Sequence, residues 1–502
     1  MKHSNVRRNI RKFSLFFAVP VLAGTFSNVM HPADLADFSS LKGKHIIGAD
    51  GGMYYSEFSS NDELKEATKE KNKELVADSV ILLKNGGGAS GKENMLPYSG
   101  MKNISLFGVN SWAYAYGGTG SGSGQLEKGA DIYSSLENAG LKINPRLKQL
   151  YMDHSAGSLS AEAKWSTPTY EDTELSMDLY TNSITSTYQR YHDAAFVFLS
   201  RLGGEGADLG RKNVAGRDDP NMHYLELTTK EKALIKHVED NFDKVVVLIN
   251  SGNILEMGEL QNDPKISAIL SIGQTGDYGF DGVIKVLTGE VSPSGRTVDI
   301  WARDFTTDPT YQNFGDGNQT VEQGTNTDYV SGGKTFGKEV EYEEGIYLGY
   351  KYYETMHNEI KAGKVNLGDA ATKKVLGSAD LGSEFRDADD WYDKTIVYPF
   401  GYGLSYTNFE WSNFTVSKTG TGKDMKLEAS VDVTNKGTVK GKDVVELYMN
   451  APYTYGGIEK SYVKLVGFEK TKELKPGEKE TVKISFDAYQ VASYDYNDAN
   501  KN

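Results

Sequence analysis

The sequence predicts an α/β domain, an α/β sandwich on a mainly parallel sheet, followed by a small β-sandwich of immunoglobulin or fibronectin type. Two observations predict it. Between residues 62 and about 300, charged helical stretches alternate with short, continuous apolar runs, as expected of strands covered by helices on both faces. After about residue 410 the period changes to two, the mark of strands with one buried face.

Asp62 precedes a charged helical stretch, Glu63 to Asp78, which runs into the apolar strand Val80 to Leu83. Further strands are predicted at Ile104–Val109, Ala194–Leu199, Val245–Ile249 and Ile266–Ile272, none of which alternates. Thr228 and Glu231 form a capping-box pattern that opens a helix ending near Phe242. Residues 155–190 and 306–340 are polar, rich in Ser, Thr, Gly and Asp, and are expected to be long surface excursions. In the second region Leu427, Ala429, Val431 and Val433 alternate with polar residues, as do Val482, Ile484 and Phe486. Turn signals stand at Asn435-Lys436-Gly437 and Lys475-Pro476-Gly477.

The N-terminus has a separate character. Lys2, Arg7, Arg8, Arg11 and Lys12 precede the apolar run Phe13–Phe26, and no acidic residue appears before Asp34. A basic stretch followed by a short apolar run predicts an export signal over residues 1–30, or an uncleaved membrane anchor at 13–30. Either places the remainder outside the cytoplasm.

Composition removes several function classes. The 502 residues carry a formal net charge of −14, which argues against a nucleic-acid partner. There is no cysteine, so disulfide scaffolds, thiolate metal sites and cysteine nucleophiles are excluded. The histidines never form H-x-x-x-H, and no G-x-S-x-G elbow occurs. The glycine-rich run Gly117–Gly124 fits neither G-x-G-x-x-G nor a Gly-Lys-Ser/Thr phosphate loop. No metal and no cofactor is expected.

In an open parallel sheet, ligands bind at the carboxyl ends of the strands. Those ends lead here into Gly117–Gly124, Ser200–Asp208, Asn250-Ser-Gly252 and Gly273-Gln-Thr-Gly276, a rim of polar, glycine-rich loops. Within it Glu205 stands between Gly204 and Gly206, where a ligand can approach closely. A carboxyl so placed serves as a general acid if its surroundings raise its pKa, and Arg201 and Asp208 pull in opposite directions. The other reading is a solvated loop Glu paired with Arg.

Several motifs resemble family 3 glycoside hydrolases. They are Leu83-Lys-Asn85, Tyr116–Ser121 with Gly122, Ser200-Arg-Leu-Gly-Gly-Glu-Gly-Ala-Asp208, Leu287-Thr-Gly289 with Pro293–Arg296, and Tyr342–Tyr347 with Gly349–Tyr353. Tyr398-Pro-Phe-Gly-Tyr-Gly-Leu-Ser-Tyr406 is the most specific, and Val444–Tyr448 with Leu465–Phe468 looks like that family's fibronectin type III-like domain. The resemblance implies an α/β sandwich at 45–408 and a fibronectin type III-like domain at 409–502. It implies a retaining β-glucosidase-like glycosidase acting on a β-linked oligosaccharide or glucoside in carbohydrate metabolism. Glu205 matches its acid/base, and Ser121 a position that touches the sugar, while Gln274 lines the same rim. Leu209 departs from the Arg that many relatives carry there, a change that Arg211 can offset.

The family's nucleophile is an Asp on a TIM barrel, usually in a Ser-Asp-Trp setting, and no Ser-Asp-Trp occurs here; Asp390-Trp391 is the nearest look-alike. The domain order resembles the permuted subgroup whose barrel comes last. The chain is therefore expected to be an N-terminal portion, inactive or nearly so alone, that needs a TIM-barrel domain in cis or in trans. The rival reading is a non-catalytic carbohydrate-binding or scaffolding remnant.

Overall fold

The structure is a computed structural model that describes residues 57–86, 94–98, 100–118, 129–154, 174–203, 210–211, 214, 217–313, 328–331, 334–338, 344–367 and 385–495. The predicted N-terminal export segment therefore lies outside the described residues. Among the described residues no helix is long and apolar enough to cross a membrane.

Helix α1 (Asn61–Ser79) leads into strand β1 (Ile81–Asn85), and β2 is Asn103–Phe107. Helix α2 (Ile132–Asn138), the short β3 (Lys142–Ile143) and α3 (Pro145–His154) follow, then β4 (Ala194–Arg201), α4 (Thr229–Asn241), β5 (Val245–Ser251), β6 (Ile266–Ser271) and α5 (Phe280–Thr288). The six strands form one sheet in the order β1-β6-β5-β4-β2-β3. Neighbours from β3 to β6 are parallel, and β1 is an antiparallel edge on β6.

Each central strand is buried on both faces, which is why its sequence shows no alternation. In β4, Ala195, Val197 and Leu199 face one core with Leu147 and Tyr151 of α3 and Leu234 and Val238 of α4. Ala194, Phe196 and Phe198 face the other, with Val76 of α1, Leu136 of α2 and Val283 and Leu287 of α5. The predicted capping box opens α4, where the Glu231 amide donates to Thr228 Oγ1 at 3.0 Å and the Thr228 amide donates to Glu231 Oε2 at 2.9 Å.

Residues 174–190 correct the expected surface excursion at 155–190. Leu175, Tyr180, Ile184 and Tyr188 are buried in the α3/α4 core, and the Val109 amide donates to Glu174 Oε2 at 3.2 Å. Apolar and aromatic residues spaced through a polar stretch anchor it, while Ser176, Thr181, Ser183 and Ser186 are exposed. Residues 155–173 lie outside the described residues.

Strand β7 (Trp301–Ala302), a hairpin of β8 (Asp328–Ser331) and β9 (Lys334–Lys338), helices α6 (Tyr350–Lys361) and α7 (Ala388–Thr395), and β10 (Ile396–Tyr398) complete the first domain. The Tyr398–Tyr406 motif is architectural. Tyr398 is buried and stacks on Tyr402, the Tyr402 hydroxyl donates to Leu83 O at 3.2 Å, and the Leu404 amide donates to Leu82 O at 2.9 Å. The motif thereby fastens the chain to the edge strand β1 before the β-sandwich starts.

The sandwich pairs β11 (Phe409–Thr419), β12 (Lys426–Asn435) and β15 (Lys479–Asp487) in one antiparallel sheet, and β13 (Val444–Met449) with β14 (Lys464–Lys470) in the other. Val431, Val433, Val445, Leu474, Val482 and Ile484 fill the space between them.

Candidate functional site

The sheet order fixes where a site belongs. From β2 the chain moves outward to β3, then crosses back to place β4 on the other side of β2. The connections leaving β2 and β4 therefore diverge, and in open sheets of this kind ligands bind at such a point, outside the carboxyl ends of the strands. The loop holding Ser121 follows β2 and the loop holding Glu205 follows β4, so both candidate loops depart from strands that flank this switch point. Ser121 and Glu205 themselves lie outside the described residues; the frame from which their loops depart does not.

Asn250, at the end of β5, ties that frame together. Its Oδ1 accepts from the Ala115 amide at 2.7 Å and from the Ser200 hydroxyl at 2.8 Å. Its Nδ2 donates to Ala115 O at 2.8 Å and to Gly273 O at 2.6 Å. One buried amide thus links the loop after β2, the end of β4 and the loop after β6. Gln274 follows directly, and its side chain lies beside Gly252, so the predicted rim residue stands on the same stitched edge. Gly108 closes the gap between β2 and β4: at φ +100° a Cβ there would stand 2.4 Å from Phe198 O.

A second clamp holds the base of the Glu205 loop. Arg201, the last residue of β4, is buried and binds Glu231 through both terminal nitrogens at 2.7 Å. It also donates to Tyr224 O at 2.9 Å and Glu226 O at 2.8 Å. Beyond the loop, Arg217 reaches the same two carbonyls at 2.6 and 3.0 Å, and the Tyr224 hydroxyl accepts from the Leu202 amide at 3.1 Å. Burial raises the Glu231 carboxyl, but the Arg201 charge and its hydrogen bonds outweigh burial and hold it below the usual range.

Arg201 is thus paired with Glu231 and anchors the end of β4, from which the Glu205 loop departs. Ala115, Leu202 and Tyr224 form a small buried cluster with Val214 packed against it, which joins the bases of the two candidate loops. Arg211 lies over the Tyr311 ring and donates to the Tyr311 carbonyl, pinning the far side of the loop.

Asp390 is a structural carboxylate. One of its oxygens accepts from Arg386 Nε and Nη2, the other from Lys394 and the Arg386 amide. These hydrogen bonds, Arg386 first, hold its pKa well below the usual carboxylate range. Trp391 is buried against Tyr353. Among the described residues no group of three His, Asp or Glu side chains is placed to hold a metal ion.

Comparison with known proteins agrees with this frame. Residues 80–350 match the glycosyl hydrolase family 3 C-terminal domain, and residues 443–501 match a fibronectin type III-like domain. A β-glucosidase of Ruminococcus albus is 31% identical over 428 residues, covering 85% of this chain and 36% of that protein. β-Glucosidase A of Butyrivibrio fibrisolvens is 28% identical, covering 84% of this chain and 46% of its own length. Among solved structures, β-glucosidase 3B of Thermotoga neapolitana in complex with α-D-glucose superposes with a TM-score of 0.62 at 27% identity, over 88% of this chain and 51% of that one. A β-glucosidase from Paenibacillus barengoltzii gives 0.66 at 27% identity, over 87% of this chain and 40% of that one. The chain thus spans between about a third and a half of the length of these relatives.

Proposed function

The chain belongs to glycosyl hydrolase family 3, and on that premise we propose that it carries the acid/base side of a retaining, β-glucosidase-like site. The observation that supports this reading is that the segments leading to Ser121 and Glu205 leave the neighbouring parallel strands β2 and β4, from a frame held by Asn250 and Arg201. In retaining glycosidases two carboxyls stand about 5–5.5 Å apart, one attacking the anomeric carbon and one protonating the leaving oxygen. Glu205 takes the second role, donating its proton as the glycosidic bond breaks. As a carboxylate it then draws a proton from the water that releases the sugar. Ser121 orients a sugar hydroxyl, and Gln274 lines the rim.

The attacking carboxylate comes from a TIM-barrel domain, joined in cis or supplied in trans. Two observations support this division. The chain spans only part of the length of its relatives, and the one Asp-Trp pair in the sequence is committed to helix α7. Carboxyls that act as a pair lose most of the catalysis when either is missing. The 502-residue chain alone should therefore give negligible turnover of an aryl β-glucoside, and turnover should appear when the barrel is supplied. Hydrolysis by the chain alone that vanishes in Glu205→Gln would contradict the division. Residues 1–30 act in this reading as an export signal or anchor. N-terminal sequencing of protein recovered from outside the cytoplasm tests that role, and recovery only from the cytoplasm would overturn it.

A further inference from the structure

A second cleft lies well apart in sequence from the sheet rim, between helix α6 with its preceding turn and the β13–β14 connection. Its volume is about 580 Å³, within the range of about 300–1,000 Å³ typical of small-ligand sites. Tyr347 and Tyr352 stand on the α6 side, and Tyr453, Tyr455 and Tyr462 on the β-sandwich side.

The walls are braced. The Tyr462 amide donates to Thr355 Oγ1 at 2.8 Å, the Leu465 amide to Tyr350 Oη at 2.9 Å, and the Tyr347 hydroxyl to Glu459 Oε2 at 2.5 Å. Within the connection, Asn450 Nδ2 donates to Tyr462 O at 2.7 Å and Lys460 Nζ to Pro452 O at 2.9 Å. A surface loop held this firmly keeps an open cleft instead of collapsing its tyrosines onto one another. Tyr455 remains 94% exposed and Tyr453 38% exposed at its lip.

We propose that this cleft binds a neutral, extended oligosaccharide, at a site separate from the catalytic rim. The lining chemistry selects that class. A pyranose ring has an apolar C–H face and hydroxyls at its edge; a tyrosine offers an apolar ring to the first and a hydrogen-bonding hydroxyl to the second. A groove for an amphipathic helix would instead present chiefly aliphatic anchors. Charge excludes an anion: the lining holds two Glu and two Lys, Lys364 is paired with Glu359 at 3.0 Å, and the whole chain carries −14. Binding here does not require hydrolysis at Glu205, so the two readings can fail separately.

The test is calorimetric titration of the full chain with cellopentaose and xylopentaose, with the curved α-linked maltopentaose as comparison. Saturable binding of the β-linked chains is expected, weakened about tenfold (~1.4 kcal/mol) in Tyr453→Ala and in Tyr455→Ala. It should be unchanged in Glu205→Gln and in Tyr489→Ala, a control tyrosine outside the cleft that is 88% exposed. No binding at millimolar sugar would overturn the proposal. So would binding abolished only by Ser121→Ala or Glu205→Gln, which would place the sugar at the rim. Loss of self-association in the tyrosine variants, seen by sedimentation with no change in sugar binding, would make the cleft a protein contact and would also overturn it.

Discussion

The α/β domain and the β-sandwich reach order by different routes. All eight residues of β4 are buried, and polar groups carried into that interior satisfy one another, as Arg201 does with Glu231 and Asn250 with Ala115, Ser200 and Gly273. In the sandwich, most of β11 faces solvent and six buried residues make the core. It borrows order from its neighbour instead: Asp443 accepts from Arg296 at 2.8 Å, and Lys442 and Lys470 both reach Asp78. The difference teaches where each kind of site belongs. On the proposed reading, the rim that holds the reacting carboxyl grows from the self-sufficient region, and the proposed sugar cleft sits where the dependent one is braced.

The largest expected effect breaks the first region at its interior clamp. Arg201→Ala leaves Glu231 buried without its charge partner and should cost about 3–5 kcal/mol by denaturant unfolding. Exchanging both residues for apolar ones should recover much of that loss, whereas a loss no larger than that of a surface substitution would mean the clamp is dispensable.

Next comes the joint. Asp443→Ala removes the hydrogen bonds that its carboxylate accepts from Arg296, Trp411 Nε1 and the Val444 amide, of which the one from Arg296 crosses the joint and is worth about 1.5–3 kcal/mol, and should separate calorimetric unfolding into two transitions with the sandwich melting first. A single undivided transition would show that the sandwich does not depend on the joint. Lys442→Ala, at a pair with Asp78 that is about a quarter exposed on each side, should cost only about 0.5–1 kcal/mol.

A separate effect is a pH slope. Burial, reinforced by the neighbouring Asp263, pushes the Glu239 carboxyl up to about 7. A raised acid keeps its proton in the folded chain after the unfolded chain has lost it. Its contribution to stability therefore declines as pH rises from about 4.5 to about 7. Glu239→Gln should remove that decline relative to the parent chain, and an unchanged difference between pH 5 and pH 8 would contradict it.

The strands and the Thr228–Glu231 cap were legible because each is a local pattern in burial or spacing. Their order in the sheet was not. An apolar run such as Ile81–Leu83 reads the same in either direction, so nothing marked β1 as antiparallel, and the two-residue β3 has no period at all. Asn250 looked like one polar rim residue among many, since its partners lie 135 residues upstream and 23 downstream. Arg201 was seen beside Glu205 in sequence, but its partner Glu231 was recognised only as a cap. That one carboxylate does both jobs is visible only once α4 packs against the end of β4. The assignments of Glu205 and Ser121 rest on motif resemblance, and the structure contributes the frame from which their loops emerge.

The central claim, that Glu205 protonates the leaving group, is tested most directly by the kinetics of Glu205→Gln, with the barrel present, on aryl β-glucosides of graded leaving-group acidity. General acid catalysis is worth about 10²–10⁴-fold. The account predicts a loss of that size for the most basic leaving groups, shrinking toward none for a dinitrophenolate that departs without a proton. A loss equal across the series, or no loss at all, would contradict it.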